Sequence, residues 1–362
     1  MSNSHRSATF IIVTITAIGA LLSGIATFNA RIDPFQQYRL ADPGMARYPR
    51  GLQRYINPGL AKNADYDFVI TGSSLMENYT LSEVNRACKA KSINLSFSAM
   101  SAFEQRKILE VALRHHAPRR VMMSLDYNSF APPIDQSLPE ITDPLPLYLY
   151  DENPFNDFRY LLSGTVTMRA WVVFKDIHKR NESTDFNRAW NWEHEAIFSR
   201  EHALKNIDPD NINRRFKQGQ RTLARMKKSF DVNIYSLVEA NPGTEFNLIF
   251  PPYSIVVWAD FVQRGQLGLS LDFKKYVVQR LEMFPNVRIF DMQWDENITH
   301  NLNLYTDIYH FSPAINRLML DSVCGTDKRY RANSETISGF ISRLREQSMG
   351  IDPAEFVRES PN

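Results

Sequence analysis

The sequence predicts an α/β fold: a three-layer α/β/α sandwich around a central parallel sheet, with a helical insertion and an N-terminal transmembrane helix. Three observations carry this expectation. Short apolar runs (Phe68–Ile70, Val121–Leu125, Phe246–Phe250, Val287–Phe290) alternate with segments of helical spacing. Apolar strands separated by helices belong to parallel sheets covered on both faces. The chemically distinctive residues follow these runs, at the carboxyl edge where open parallel sheets bind ligands. Finally, Thr9 to Phe28 carries no charge, and about 20 such residues in a helix span the hydrocarbon core of a bilayer.

Each element has a local reason. The span at residues 1–30 reads as an uncleaved anchor rather than a signal peptide, because the apolar run is long and Phe28 fits poorly at the minus-three position for cleavage after Ala30. Residues 31–64 are mixed and punctuated by proline, a linker or an edge packed on the domain. The main domain covers residues 65–330. Asp67 to Thr71 is strand-like and Leu81 to Cys88 helical. Ser92 to Phe97 is strand-like, and Ala102 to His115 has helical spacing at Ile108, Leu109, Ala112 and Leu113. Pro118 stops that helix before the strand Val121 to Leu125. An insertion at about 131–235 follows: six prolines between Pro132 and Pro154 mark an extended excursion, and Phe155 to Phe230 reads as helical. The alternation then resumes with Phe246 to Phe250, a helix near Leu271 to Phe284, a strand Val287 to Phe290, and a last helix opening at Pro313. Residues 331–362 form a tail with one weakly amphipathic segment, Ile337 to Leu344.

Composition removes several function classes. A net charge of +2 without a basic stripe gives no footprint for nucleic acid. There is no Cys-x-x-Cys, no phosphate-binding glycine loop and no dinucleotide fingerprint, so neither metal nor cofactor is expected. His194 and His202 lack the three- or four-residue spacing of helical zinc ligands. Trp171, Trp190 and Trp192 read as core packing, with a sugar-stacking surface as the alternative. Cys88 and Cys324 either pair in an oxidising compartment or are two unrelated buried thiols. Charge leaves topology open. Arg31, Arg39, Arg47, Arg50 and Arg54 follow the span and only Arg6 precedes it, but long folded domains translocate largely regardless of charge.

Two fragments carry the chemistry. Thr71-Gly72-Ser73-Ser74 follows a buried-strand pattern, and Gly72 permits a tight turn presenting Ser74 at the strand's end. Asp307 and His310 lie two residues apart on one short turn. A serine hydroxyl is a poor nucleophile until a base takes its proton, and an imidazole serves better when a carboxylate fixes its tautomer. Ser74, His310 and Asp307 meet those needs if the fold joins the two ends of the domain.

In four ordered blocks the chain resembles the SGNH, or GDSL-type, hydrolases. The family's Gly-Asp-Ser corresponds to Gly72-Ser73-Ser74. Its Asn-x-x-x-Ser-Gly corresponds to Asn94-Leu95-Ser96-Phe97-Ser98-Ala99, its Gly-x-Asn to Asp126-Tyr127-Asn128, and its Asp-x-x-His is intact as Asp307 and His310. The resemblance implies a flavodoxin-like sheet and a Ser74–His310–Asp307 triad forming an acyl-enzyme. It also implies an oxyanion site made by the amides of Ser74 and Ala99 with the side chain of Asn128. Gly-Ser-Ser, an anchor before it and Pro251-Pro252-Tyr253 after the fourth strand are similar to a membrane-tethered branch that acts on bacterial cell-envelope polymers. That branch implies an esterase or O-acetyltransferase at the outer face of the inner membrane. Its partners would be membrane lipid around the anchor, an acylated or acyl-accepting glycan, and a membrane-bound acyltransferase. The departures at Ala99 and Asp126 keep a rival open: a non-catalytic glycan-binding or assembly component of a membrane polysaccharide complex. A cytoplasmic-side esterase is a third reading.

Overall fold

The computed structural model describes residues 2–42, 45–139, 141, 145–175, 185–205 and 221–351. Parts of the expected insertion (140, 142–144, 176–184 and 206–220) and the tail from 352 onward lie outside the described residues. The early helices are α1 (Ser2–Ile32), α2 (Gln53–Asn63), α3 (Leu81–Cys88), α4 (Ala102–His116), α5 (Phe158–Leu161) and α6 (Gly164–Lys175). The later ones are α7 (Arg200–Leu204), α8 (Leu223–Phe230), α9 (Ser236–Ala240), α10 (Ile255–Gln263), α11 (Leu267–Leu281), α12 (Glu296–Thr299), α13 (Pro313–Cys324) and α14 (Ile337–Met349). The strands are β1 (Phe68–Thr71), β2 (Ser92–Asn94), β3 (Arg120–Ser124), β4 (Glu245–Phe250), β5 (Val287–Asp291) and β6 (Arg331–Ala332).

These elements form two compact units, each drawn from two stretches of chain: Met1–Ala64 with Pro146–Phe186, and Asp65–Leu145 with Asn187–Asn362. The first unit is helical. Within α1, His5–Ile32 has a stretch of mean hydropathy 2.2 that is not buried at all, so it is long and apolar enough to cross a membrane. Beyond α1 the chain is held by Asp33, whose carboxylate accepts the amides of Gln37, Tyr38 and Arg39 and the Tyr160 hydroxyl. The stretch 31–64, expected as a linker, therefore carries α2 and a hydrogen-bonded turn.

The second unit is built on a six-stranded sheet in the order β2-β1-β3-β4-β5-β6. All pairings are parallel except β5 with β6. The expected α/β class is observed, with the flavodoxin-like order in its first five strands. β1 and β2 are wholly buried, and in β3 and β4 only the first residue is partly exposed. Successive strand side chains point to opposite faces, so both faces of the sheet are covered and the architecture has three layers.

Several boundaries have visible causes. α4 opens on a capping box: Glu104 N–H donates to Ser101 Oγ (3.2 Å) and Ser101 N–H to Glu104 Oε2 (2.8 Å). The same helix ends where Ala117 turns left-handed ahead of Pro118. The sequence does not distinguish α10 from a strand, because Ile255 to Phe261 is a short, almost wholly apolar run, buried throughout. The stretch expected to be helical from Phe155 to Phe230 is helical, among its described residues, only in short pieces. The residues after 330, expected as a tail, supply β6 and α14 to the second unit.

Cys88 ends α3, Cys324 ends α13, and the two form a disulfide with their Cα atoms 5.1 Å apart. The bond joins α3, early in the sheet-bearing unit, to α13 across 236 residues. A loop that long contributes roughly 5 kcal/mol in the chain-entropy model, as an upper bound. Replacing both cysteines by alanine is expected to lower the urea midpoint of the second unit's unfolding substantially. Reductant should lower that of the wild type equally and leave the double variant unchanged.

Candidate active site

The carboxyl ends of β1 and β3 define the site, because the chain reverses its direction of travel across the sheet between them. Crevices of open α/β sheets form at such switch points. β1 ends at Thr71, and Gly72 follows with φ +150°. A Cβ at Gly72 would lie 2.2 Å from Ser124 Oγ and 2.6 Å from Met76 Cγ, so only glycine fits. The turn presents Ser74 as the first residue of a 3₁₀ turn, Ser74–Met76. From β2, Asn94 braces that turn by donating Nδ2 to the carbonyls of Met76 (2.8 Å) and Glu77 (3.2 Å).

Ser74, His310 and Asp307 meet although 236 residues separate the first two. Ser74 Oγ lies 2.7 Å from His310 Nε2, and His310 Nδ1 lies 2.6 Å from Asp307 Oδ2. A carboxylate only accepts, so Nδ1 carries the proton and Nε2 is left to accept from the serine hydroxyl. Asp307 Oδ1 accepts the amides of Tyr309 and His310, both at 2.8 Å, which fixes the carboxylate on its own turn. Desolvation raises the Asp307 pKa. The charge and hydrogen bond of His310, with the two amides, outweigh it and hold the pKa down at about 2. The His310 side chain is 17% exposed, and Trp192 stands edge-on to its ring at 5.3 Å.

The turn bearing Asp307 and His310 is clamped from the loop after β4. Ser254 donates its amide (3.2 Å) and hydroxyl (2.8 Å) to the Ile308 carbonyl. Tyr305 donates its hydroxyl to the Pro252 carbonyl at 2.9 Å, and Tyr253 packs edge-on against Tyr309.

Asp126, just beyond β3, is the centre that the sequence reading missed. Its carboxylate accepts the Ser73 hydroxyl (3.0 Å), the Asn128 amide (2.9 Å) and, at close range, the Tyr253 hydroxyl. Burial first, then the negative charge of Asp126, pushes the Tyr253 hydroxyl far above its ordinary pKa, so it remains a donor. A signal was present in the sequence. Ser73 stands where the SGNH pattern has Asp, and Asp126 stands where it has Gly. The two departures are complementary, since the hydroxyl of one donates to the carboxylate of the other.

Asn128 is buried, and its Oδ1 accepts a close hydrogen bond from Arg221, leaving Nδ2 as the donating end. Arg221 is itself buried, with its guanidinium over the Phe261 ring at 5.0 Å. Ala99 lies beyond β2, the strand beside β1, in a left-handed conformation (φ +53°) that favours the glycine of the SGNH pattern. Trp190 and Trp192 are buried, Trp190 donating Nε1 to the Asn94 carbonyl, whereas Trp171 belongs to the first unit and is half exposed. Among the described residues no cluster of His, Cys, Asp or Glu is arranged to hold a metal.

No family model matches the sequence, and no curated protein matches it. Among solved structures the chain is similar to one described as "a putative platelet activating factor from Streptococcus pneumonia". That likeness has a TM-score of 0.40 at 11% identity, over 75% of this chain and 88% of the other.

Two outcomes test this geometry. Asp126→Ala strands three buried or partly buried donors, and hydrogen bonds to a charged group contribute about 1.5–3 kcal/mol each. It should destabilise the second unit by several kcal/mol in urea unfolding, whereas Ser73→Ala, which removes one donor, should cost about 1–2 kcal/mol. For Asp307, the folded pKa of about 2 lies below the ordinary 3.8. Its stabilisation is therefore full above roughly pH 5 and lost as pH falls through 4 toward 2. The gap in urea midpoint between wild type and Asp307→Asn should narrow as pH falls from about 5 toward 2. A gap unchanged at about pH 2 would contradict the assigned Asp307–His310 contact.

Proposed function

We propose that this chain is a membrane-anchored serine esterase or O-acyltransferase working through an acyl-enzyme on Ser74. The observation that carries the reading is the continuous relay Ser74 Oγ–His310 Nε2, His310 Nδ1–Asp307, at 2.7 and 2.6 Å. Ser74 Oγ attacks the ester carbonyl while His310 Nε2 takes its proton, and Asp307 orients the imidazole and stabilises its cationic form. The carbonyl oxygen becomes an anion, for which the amides of Ser74 and Ala99 and the Nδ2 of Asn128 are the donors in this reading. Collapse expels the alcohol, which takes the proton from His310, and leaves Ser74 acylated. Water or a hydroxyl-bearing acceptor, deprotonated by His310, then attacks the acyl carbonyl and frees the serine. Esterase and transferase differ only in that acceptor.

The cellular setting is also a proposal. α1 serves as a single-pass anchor in the bacterial inner membrane, with the second unit on the outer side. The Cys88–Cys324 bond supports that side, since disulfides persist in oxidising compartments. An O-acylated or acyl-accepting envelope glycan is the substrate class, argued from the resemblance of the motif blocks and the tether. A membrane-bound acyltransferase would supply the acyl group if the reaction is a transfer.

Turnover of a chromogenic acetyl ester by the purified full chain tests the reading. Ser74→Ala and His310→Ala should abolish it, and Asp307→Asn should lower kcat by roughly four orders of magnitude while the fold persists. Asn128→Ala should lower kcat by about two to three orders with a smaller effect on KM, as expected for a donor used in the transition state. A folded wild type without turnover, together with a Ser74→Ala gene that complements a deletion, would favour the non-catalytic rival.

A further inference from the structure

The first unit carries an apolar surface that its own core does not use. α6 buries Val166, Ala170 and Val173 on one side and leaves Met168, Trp171 and Phe174 exposed on another. Just before it, Phe155 is 88% exposed, and Phe158 and Leu162, one turn apart, are each more than a third exposed. Single exposed apolar residues are ordinary, but six within 20 residues of chain, with Trp171 and Phe174 stacked on each other at 5.8 Å, call for a partner.

The position of this patch identifies the partner. α6 is fixed to the end of α1: Asn29 Nδ2 donates to Thr167 Oγ1 and to the Leu161 carbonyl, both at 2.8 Å. One to two turns further along α6, Trp171 and Phe174 close on the Phe28 ring at 6.4 and 6.0 Å. Phe28 is the last large apolar residue before Arg31 ends the uncharged stretch. The aromatic cluster therefore sits level with the end of the apolar stretch of α1. Trp and other amphipathic rings concentrate at that depth in a bilayer. The Lys175 ammonium lies over the Trp171 ring at 5.0 Å, so an apolar body and a cationic tip occur together, as on side chains that reach toward headgroups.

We propose that Phe155–Lys175 is an interfacial membrane element, lying in the headgroup layer of the same bilayer that α1 crosses. The occupant of the patch is lipid, with apolar side chains at the acyl boundary and Lys175 toward the headgroups. This inference rests on α1 being a membrane anchor. It adds a second, rigid point of attachment to the bilayer, so that the first unit is seated against the membrane rather than tethered at a distance.

Single-cysteine probes on the full chain test the proposal, because Cys88 and Cys324 are paired and unreactive without reductant. Leu21→Cys, Phe155→Cys, Trp171→Cys and Met283→Cys variants are labelled with an environment-sensitive nitrobenzoxadiazole and reconstituted in phosphatidylcholine–phosphatidylglycerol vesicles. Met283 is exposed in the second unit and serves as a surface label, while the dye conjugated to free cysteine gives the aqueous limit. Labels at 155 and 171 are expected to be blue-shifted, shielded from iodide, and quenched more by a nitroxide near the headgroup than by one at the acyl terminus. The label at 21 should show the reverse nitroxide preference. If 155 and 171 are as open to iodide as the free conjugate while 21 stays buried in lipid, the interfacial element is overturned and the anchor stands. If 21 is itself open to iodide, the anchor fails and the proposal with it. Labels at 155 and 171 shielded from iodide and from both nitroxides would mean that protein, such as a second copy of the chain, covers the patch; that also overturns it.

Discussion

The carboxylate of Asp126 is the contact on which the rest of the site depends. It gathers the residue before Ser74, the amide of Asn128 and the hydroxyl of Tyr253, so one buried charge ties together the loops after β1, β3 and β4. Each of those loops holds a different part of the arrangement. The first presents Ser74, the second sets Asn128, and the third, through Pro252 and Ser254, clamps the turn bearing Asp307 and His310. A buried carboxylate is tolerable only when donors compensate its charge, and three donors do so here. The Ser74–His310 distance is thus a property of the sheet edge as a whole and not of the two side chains alone.

A second buried charge supports the same edge from below. Lys274 and Asp291 are fully buried and paired at 2.6 Å, with the ammonium near the rings of Phe250 and Trp258. Desolvation pushes the Lys274 pKa down, against the pull of Asp291. The other oxygen of Asp291 accepts the Gln293 amide, and the Gln293 side chain bonds both the Tyr127 hydroxyl and the Pro251 carbonyl. Tyr127 adjoins Asp126, and Pro251 opens the clamp loop, so this chain of bonds reaches both ends of the Asp126 network. Such a pair adds little net stability over an apolar substitute. Breaking one partner, however, leaves a buried charge uncompensated.

What could be read in the sequence was what local chemistry encodes. The apolar β1 pattern, the glycine needed at Gly72, and the two-residue gap between Asp307 and His310 each act over a few residues, and each appears where expected. The helix Leu81–Cys88 and the helix opening at Pro313 were legible for the same reason. Contacts made across the fold were not. Asp126 and Arg221 act through partners tens to more than a hundred residues away, and a buried carboxylate or guanidinium looks like any other charge until its neighbours are known. Likewise the first unit joins residues before 64 to residues after 146, so its segments read as linker and insertion when taken along the chain. α10 escaped because a short apolar run buried throughout reads as a strand as readily as a helix.

The central claim is that Ser74 is an activated nucleophile and not a turn residue. Reaction of the purified full chain with a fluorophosphonate, followed by peptide mapping, tests it most directly. The serine hydroxyl attacks phosphorus and expels fluoride, so a stable adduct marks only a serine whose proton a base removes. The account predicts one adduct, on Ser74, lost in Ser74→Ala and strongly reduced in His310→Ala. A folded protein that takes no label, or takes it at Ser73 or elsewhere while Ser74 stays unmodified, would contradict it.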